Sequence, residues 1–192
     1  MTNVARNTQP FISTESRQYR FDLLKQLEQF VRQPDTDSAE QSYAKQALDF
    51  LDKNHNWNDA ENQNGHIKSS IFLLDNSGKN MLLQKNPYNH QWLPVSVKIE
   101  ENDAPINLAK NAAQKITATD VNLLHNGAII SVYSYFAETT ENEDSNHLVI
   151  DICYAGKSTA EFAHAYPSDL KAFSIDNITN NLLVERLLKK TA

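Results

Sequence analysis

Apolar residues recur at helical spacing in the first part of the chain. From Ser16 to Gln33 they follow a period near 3.6 residues, and Pro34 ends this predicted helix because proline has no amide N–H to donate. A second helix is predicted to open with the capping-box pattern Ser38–Gln41 and to stop at Asn54. These two helices predict an N-terminal helical extension over residues 1–60.

From residue 65 onward the pattern changes to runs that are typical of strands. His66–Leu74 and Met81–Gln84 read as the two strands of a hairpin around the turn at Asp75–Gly78. Two longer strands are predicted at Gly127–Ala137 and His147–Tyr154, and the second is mostly apolar, which indicates a central position in a sheet.

Two more amphipathic helices complete the pattern. One has Ile106, Ala109, Ala113 and Ile116 along one side, and the last is introduced by Phe173 and capped near Asn177. The order helix, helix, hairpin, helix, two strands, helix predicts an α/β fold. In this fold a mixed sheet lies between helices over residues 65–192, and the N-terminal helical pair precedes it.

Composition narrows the function classes. The net charge of −6 argues against a nucleic-acid or anionic-membrane binder. The single Cys153 excludes an internal disulfide framework and a cysteine zinc site. Because no apolar run reaches the roughly 18–20 residues of a membrane span, and the first residues lack a secretory apolar core, the expected location is cytoplasmic. Only four glycines occur, so no glycine-rich phosphate loop can be written on the chain.

The most informative stretch runs from Trp92 to Thr119. An acidic loop, Glu100–Asp103, leads into the amphipathic helix. This outline resembles the Nudix box, the loop-helix-loop that reads G-x5-E-x7-R-E-U-x-E-E-x-G-U, where U is apolar. On this chain the box positions fall, in order, on Val97, Asp103, Asn111-Ala112, Lys115-Ile116 and Ala118.

Other landmarks extend the resemblance along the chain. They are similar to a bacterial Nudix subgroup that also carries an N-terminal helical extension. The matching positions are Gly65-His66 with Ser70, Gly78-Lys79 with Met81-Leu82-Leu83, Trp92, and His147 with Asp151. The resemblance implies a Nudix-like α/β/α sandwich. It also implies hydrolysis of nucleoside-diphosphate-linked substrates with Mg²⁺ or Mn²⁺ held by the box glutamates.

The box residues that such chemistry needs are absent. No carboxylate occurs between Ala104 and Thr119, and Lys115 stands where the resemblance places a metal ligand. A hard divalent cation requires several oxygen ligands, so no metal or other cofactor is expected. We interpret the chain as a catalytically silent module that binds a small phosphate-containing ligand or a partner.

Two alternatives remain open. In the first, the chain is an active hydrolase that uses Mg²⁺ or Mn²⁺ with Glu100, Asp103 and carboxylates from elsewhere, such as Glu138 or Asp151. In the second, it is a structural scaffold that forms a homodimer and binds no small ligand. No nucleic-acid or membrane partner is expected in any of the three.

Each candidate site residue also has a simpler interpretation. The ligand-binding candidates are Lys115, Trp92, His147 and Asp151. Lys115 could be a solvated helix residue, and Trp92 could pack under the adjacent helix. His147 and Asp151 share a face of one strand, where they could line a pocket or form a hydrogen-bonded pair.

The remaining candidates follow the same logic. Asn102 or Asp103 could simply cap the helix that begins near Pro105. His66, His90, His147 and His164 share no metal-ligand spacing. Cys153 alternates with Asp151 along its strand and is expected to be a small core residue.

Overall fold

The computed structural model describes residues 14–59, 62–86, 90–99, 103–137, 147–162, 166–178 and 182–191. It contains four α-helices and seven strands in these ranges. In chain order they are α1 Thr14–Val31, α2 Ser38–Lys53, β1 Gly65–Leu74, β2 Asn80–Lys85, β3 Trp92–Lys98, α3 Pro105–Thr117, β4 Val121–Leu123, β5 Ser131–Ala137, β6 His147–Ser158, β7 Leu170–Ser174 and α4 Leu182–Thr191.

The seven strands form one mixed sheet in the order β4-β6-β1-β3-β2-β7, with β5 pairing β6 beside β4. Among the described strands only β1 and β6 run parallel, over ten residue pairs from Gly65↔Leu148 to Leu74↔Lys157. The other pairings are antiparallel. The predicted α/β fold with a mixed sheet and two N-terminal helices is confirmed, and so is the central position of β6.

The two faces of the sheet pack against different helices. One face presents Ile67 and Ile71 of β1 to a buried cluster that includes Ala109 of α3. The other presents Phe72 and Cys153 to a cluster that includes Leu187 of α4. The sheet therefore lies between helices, because strands that are buried on both sides need an apolar cover on each.

The N-terminal helices belong to the larger of these clusters. Leu27 of α1 and Leu51 of α2 are fully buried in the same cluster as Ile67 of the sheet. The division into residues 1–60 and 65–192 remains a prediction.

Three strands and one helix boundary differ from the sequence prediction. β3, Trp92–Lys98, was not assigned as a strand, and it pairs with both β1 and β2. Phe173 does not introduce a helix: it lies in β7, where it pairs with Met81 of β2. A short 3-10 turn over Ile175–Asn177 follows, and the last helix is described over Leu182–Thr191. β4 was also missed, and it pairs with the end of β6, which continues to Ser158. β4 and β7 are short strands, and each is stabilised by pairing with a strand that is far away in the sequence.

The cap of α2 differs by one residue from the predicted capping box. Asp37, and not Ser38, is the N-cap, and its Oδ1 accepts a hydrogen bond of 2.8 Å from the backbone N–H of Glu40. Asp37 competes well for this position because its carboxylate also complements the helix dipole. The predicted stop at Asn54 is confirmed, since its backbone N–H donates to the carbonyl of Phe50.

The two positions that replace the box glycines behave differently. Val97 is extended in β3 and pairs with Ser69, so no tight turn is required there. Ala118, the C-cap of α3, lies in the left-handed region with φ 53° and ψ 30°. A side chain with a Cβ is disfavoured in this conformation.

Replacing Ala118 by Gly should therefore stabilise the protein by about 0.5–1 kcal/mol. Removal of the Cβ relieves a left-handed strain of roughly 1–2 kcal/mol, and the greater freedom of glycine in the unfolded chain offsets part of this gain. Urea unfolding measures the difference. Ala112→Gly, in the right-handed interior of the same helix, is the matched control and should lose about 1 kcal/mol. Equal losses in both variants would contradict the prediction.

Candidate functional site

The solvent-exposed side of helix α3 carries amide and lysine side chains. Asn107, Asn111 and Lys115 are exposed at four-residue spacing, whereas Leu108 and Ala109 are buried. The helix carries no carboxylate over its whole length Pro105–Thr117. The positions that resemble the box Arg and a box Glu thus present an amide and an ammonium, and this helix has no side chain suited to hold a divalent cation.

Asp103 precedes this helix and is already engaged. Its Oδ1 accepts from the backbone N–H of Ala104 at 2.7 Å and from Nδ2 of Asn107 at 2.9 Å. The N-cap position is Ala104, so the prediction that Asn102 or Asp103 caps the helix is wrong. The Asp103 carboxylate instead contacts the first turn of the helix from the residue before the N-cap. Asn102 itself, like the other catalytic candidate, Glu100, lies outside the described residues.

A row of polar side chains crosses the opposite face of the sheet from α3. Directly paired residues on neighbouring strands share a face. The pairs Lys98↔Lys68, Lys68↔Asp151 and Asp151↔Tyr133 therefore place four side chains side by side across β3, β1, β6 and β5. We call Lys98, Lys68, Asp151 and Tyr133 the polar row.

Asp151 is the buried centre of the polar row. It is 0% exposed, and its Oδ2 accepts a 2.7 Å hydrogen bond from the hydroxyl of Tyr133. The same oxygen lies 3.8 Å from Nζ of Lys68, which is 20% exposed. Burial and the neighbouring Asp151 charge raise the pKa of Tyr133 far above its usual value, so its hydroxyl stays protonated as a donor.

Cys153 lies next to Asp151 on the same face and is fully buried, which confirms the predicted core position. Burial, followed by the Asp151 charge, raises the pKa of the thiol. A thiol that resists ionisation is a poor nucleophile. Cys153 therefore packs the site and offers no reactive thiolate.

Two histidines meet at the end of β1 beside the polar row. Nδ1 of His66 lies 2.6 Å from Nε2 of His147, and the ring centroids are 4.9 Å apart. We call these residues the histidine pair. Burial, and then the charges of Lys98, His147 and Lys68, lower the pKa of His66 to about 4.

The histidine pair makes stability depend on pH in a defined direction. His66 binds a proton near pH 4 when the chain is folded and near its ordinary pKa of 6.5 when it is unfolded. Between these values the unfolded state holds more protons, so the free energy of unfolding should fall as the pH decreases from about 6.5 to about 4. We expect His66→Asn to flatten this decline in urea unfolding at a series of pH values. His125→Asn, at an exposed position, is the control and should leave the slope unchanged.

The structure brings some of the predicted ligand-binding residues together and separates others. His147 and Asp151 share the face of the polar row, but four strand residues place their Cα atoms about 13 Å apart. They do not form the hydrogen-bonded pair considered above, because His147 contacts His66 and Asp151 contacts Tyr133. Lys115 is exposed on α3, which packs on the other face of the sheet.

Trp92 lies far from this surface. It begins β3, about 20 Å along the strand from Lys98. The prediction that it packs under the adjacent helix is wrong, because it packs against the buried cluster on the face of the sheet away from α3, where it meets the ring of Phe173 edge-on at 5.2 Å. Lys171 in turn lies over the ring of Phe173.

Sequence reasoning missed Lys68, Lys98 and Tyr133. The signal that could have found Lys68 is the alternation of His66 and Lys68 with apolar Ile67 in β1, which puts both polar residues on one face. Lys98 and Tyr133 become neighbours of Lys68 only through the strand register, which no local pattern shows.

Within the ranges that the structure describes, no three or more His, Cys, Asp or Glu side chains are grouped so that they could hold a metal ion. None of the helices in these ranges is long and apolar enough to span a membrane.

Comparison with known proteins gives similarities of structure alone. No family model matches the chain, and no curated protein matches it. A hydrolase of the NUDIX family from Clostridium perfringens is 19% identical and aligns over 66% of this chain and 99% of its own, with a TM-score of 0.45. An Ap4A hydrolase from C. elegans is 12% identical over 66% of this chain and 98% of its own, with a TM-score of 0.46.

A mutT/nudix family protein from Listeria innocua is 12% identical over 65% of this chain and 92% of its own, with a TM-score of 0.47. The chain is thus similar to solved Nudix structures over about two thirds of its length.

Proposed function

We propose that this chain is a Nudix-like domain that binds a small phosphate-containing ligand and does not hydrolyse it. The observation that carries the proposal is the solvent-exposed side of α3, which presents Asn107, Asn111 and Lys115 and no carboxylate. Metal-assisted diphosphate hydrolysis requires oxygen ligands that hold the cation against the substrate and neutralise the charge that develops as the bond breaks. The residues of this helix do not fit Mg²⁺ or Mn²⁺.

The basic side chains support the binding half of the proposal. Lys115 is exposed on α3, and Lys68 and Lys98 lie side by side on the sheet. Cationic side chains attract phosphate oxygens without a metal. In a chain of net charge −6, such local groups favour a small anion over an extended polyanion.

A turnover assay tests the proposal. We expect no product when the protein is incubated with Mg²⁺ or Mn²⁺ and a panel of nucleoside diphosphate derivatives. The same compounds in EDTA should raise the melting temperature, because a ligand at about 100 times its Kd stabilises the folded state by about 2.7 kcal/mol. Metal-dependent turnover that disappears in Asp103→Ala would instead establish an active hydrolase. If neither turnover nor a melting shift occurs with any compound, the scaffold interpretation is favoured.

A further inference from the structure

Four basic side chains converge at one end of the sheet. His66 and Lys68 come from β1, Lys98 from β3 and His147 from β6. Lys68 and Lys98 are directly paired, and the charges of both lysines act on His66. We call these four residues the basic cluster. Its lysines hold two positive charges near the histidine pair, and Asp151 is the buried carboxylate beside them.

Asp151 does not neutralise the cluster fully. Its Oδ2 is 3.8 Å from Lys68 and also accepts the hydroxyl hydrogen of Tyr133. This arrangement orients the Lys68 ammonium while leaving it partly exposed, at 20% of the side chain. Lys98 makes further polar interactions of its own. The balance of the described groups is positive, which suits an anion.

The histidine pair can change its charge without losing its contact. At a separation of 2.6 Å between Nδ1 of His66 and Nε2 of His147, one nitrogen donates and the other accepts, so the contact itself holds one proton. A further proton on an outward-facing ring nitrogen makes the pair singly positive and preserves the contact. The charges of Lys68 and Lys98 oppose that proton, and an anion between them would remove the opposition.

We propose that the basic cluster binds a tetrahedral oxyanion, such as the terminal phosphate of a small ligand, and that binding is coupled to uptake of a proton by the histidine pair. The inference rests on the proposed function, because it identifies the surface where the phosphate binds. It differs from the helix position Lys115, which is on the other side of the sheet.

The charged and titratable groups that the structure describes around the histidine pair determine how readily it takes up the added proton. Lys68 on β1 and Lys98 on β3 disfavour the added proton. Asp151 on β6, which is paired with Lys68, carries the opposite charge and so acts in the other direction. Tyr133 and Tyr135 on β5 remain neutral, because burial, followed by the Asp151 charge, raises the pKa of both hydroxyls. A bound dianion makes the local charge negative, and this favours the added proton on the histidine pair. The affinity of the basic cluster for the anion should therefore increase as the pH falls.

Sulfate is the appropriate probe, because it stays a dianion throughout the pH range in which histidine titrates, so any pH dependence belongs to the protein. The full chain is titrated with sodium sulfate at constant ionic strength, and the histidine ring signals are followed by NMR. We expect the affinity to rise as the pH falls, by up to about tenfold per pH unit when one full proton is taken up. The ring signal of His66 should titrate at higher pH in sulfate than in chloride.

Variants separate the two parts of the proposal. Lys68→Met should weaken sulfate binding at every pH, whereas His66→Asn and His147→Asn should abolish its pH dependence. Lys45→Met removes an exposed lysine of α2 and His125→Asn removes an exposed histidine, so both should bind like the unaltered protein, whereas Lys115→Met tests the exposed side of α3 as the competing location. Circular dichroism confirms that each variant is folded, and using two histidine variants protects the test against the failure of one to fold.

The opposing outcomes are distinct. Binding that depends on Lys68 but not on pH would overturn the coupling, and binding that is lost only in Lys115→Met would overturn the location. An absence of sulfate shifts in the cluster would overturn the site itself. None of these results touches the turnover assay, so the proposed function would stand or fall separately on nucleotide binding and hydrolysis.

Discussion

Replacing Glu40 by Ala is expected to lower the free energy of unfolding by about 3–5 kcal/mol, because it leaves buried cations without their carboxylate. Glu40 lies on α2 and is 1% exposed. Its Oε2 is 3.2 Å from Nζ of Lys190 on α4, and its Oε1 accepts a 2.7 Å hydrogen bond from the hydroxyl of Ser131 on β5. One side chain thus connects three elements that are far apart in the sequence.

The cations that would be left behind cannot reach water easily. The side chains of Lys190 and Arg186 are 7% and 8% exposed. Lys190 retains the carbonyl of Ile130 at 2.6 Å, and Arg186 retains Asp37 at 2.8 Å, although the Asp37 side chain is about half exposed. The desolvated charge of Lys190 then has no negative partner among the described side chains, which is the costly case for a buried ion pair.

Urea unfolding of Glu40→Ala beside Asp49→Ala gives a matched comparison within α2. Asp49 forms an ion pair with Lys53 in which both side chains are at least 60% exposed, so its loss should cost no more than about 0.5 kcal/mol. Glu40→Gln keeps the size and the contact with Ser131 and should fall between the two. A loss below about 1 kcal/mol for Glu40→Ala would show that solvent reaches Lys190 and Arg186, and that their ion pairs with Glu40 behave like exposed ones.

Periodicity in the sequence predicted the elements that carry their own pattern. The four helices and the strands β1, β2, β5 and β6 are long enough for the spacing of apolar residues to show them. β7 is five residues long and is stabilised by its pairing with β2, some 90 residues earlier in the chain. The local run around Phe173 therefore could not reveal a strand.

The candidate site was likewise only partly predictable from the sequence. The absence of carboxylates on α3 can be read directly from the sequence, and so can the shared face of His147 and Asp151. The contact between His66 and His147 joins residues 81 positions apart and exists only because β1 and β6 run parallel in one register. A shift of one residue would move these rings to opposite faces of the sheet.

That register depends on a close approach at Gly65, which pairs with Leu148 at the start of the parallel ladder. A Cβ added to Gly65 would lie 2.3 Å from the backbone carbonyl oxygen of Leu148, and φ at Gly65 is +146°. The first feature forces the two strands apart, since backbone atoms cannot rotate away as a side chain can. The second is a conformation that essentially only glycine adopts.

Gly65→Ala should accordingly lower the free energy of unfolding by about 4 kcal/mol, from roughly 1–3 kcal/mol of backbone strain and roughly 1–3 kcal/mol of overpacking. Two other glycines separate these contributions. Gly78→Ala has positive φ but only the end of Lys157 within 4 Å, so it isolates the strain. Gly156→Ala has no positive φ but meets Ile71 at 2.7 Å, so it isolates the overpacking, and flexible side chains can partly relieve it.

Denaturant unfolding of the three variants measures the stability effects, and NMR titration of His66 reports the geometry. If β1 and β6 separate at Gly65, the contact between His66 and His147 lengthens, and the pKa of His66 should move from about 4 toward its ordinary value. Gly78→Ala lies in the hairpin turn at the other end of β1 and should leave that pKa unchanged. A Gly65→Ala variant no less stable than Gly78→Ala would mean that the approach of Gly65 to Leu148 can relax, and that other contacts determine the position of His66.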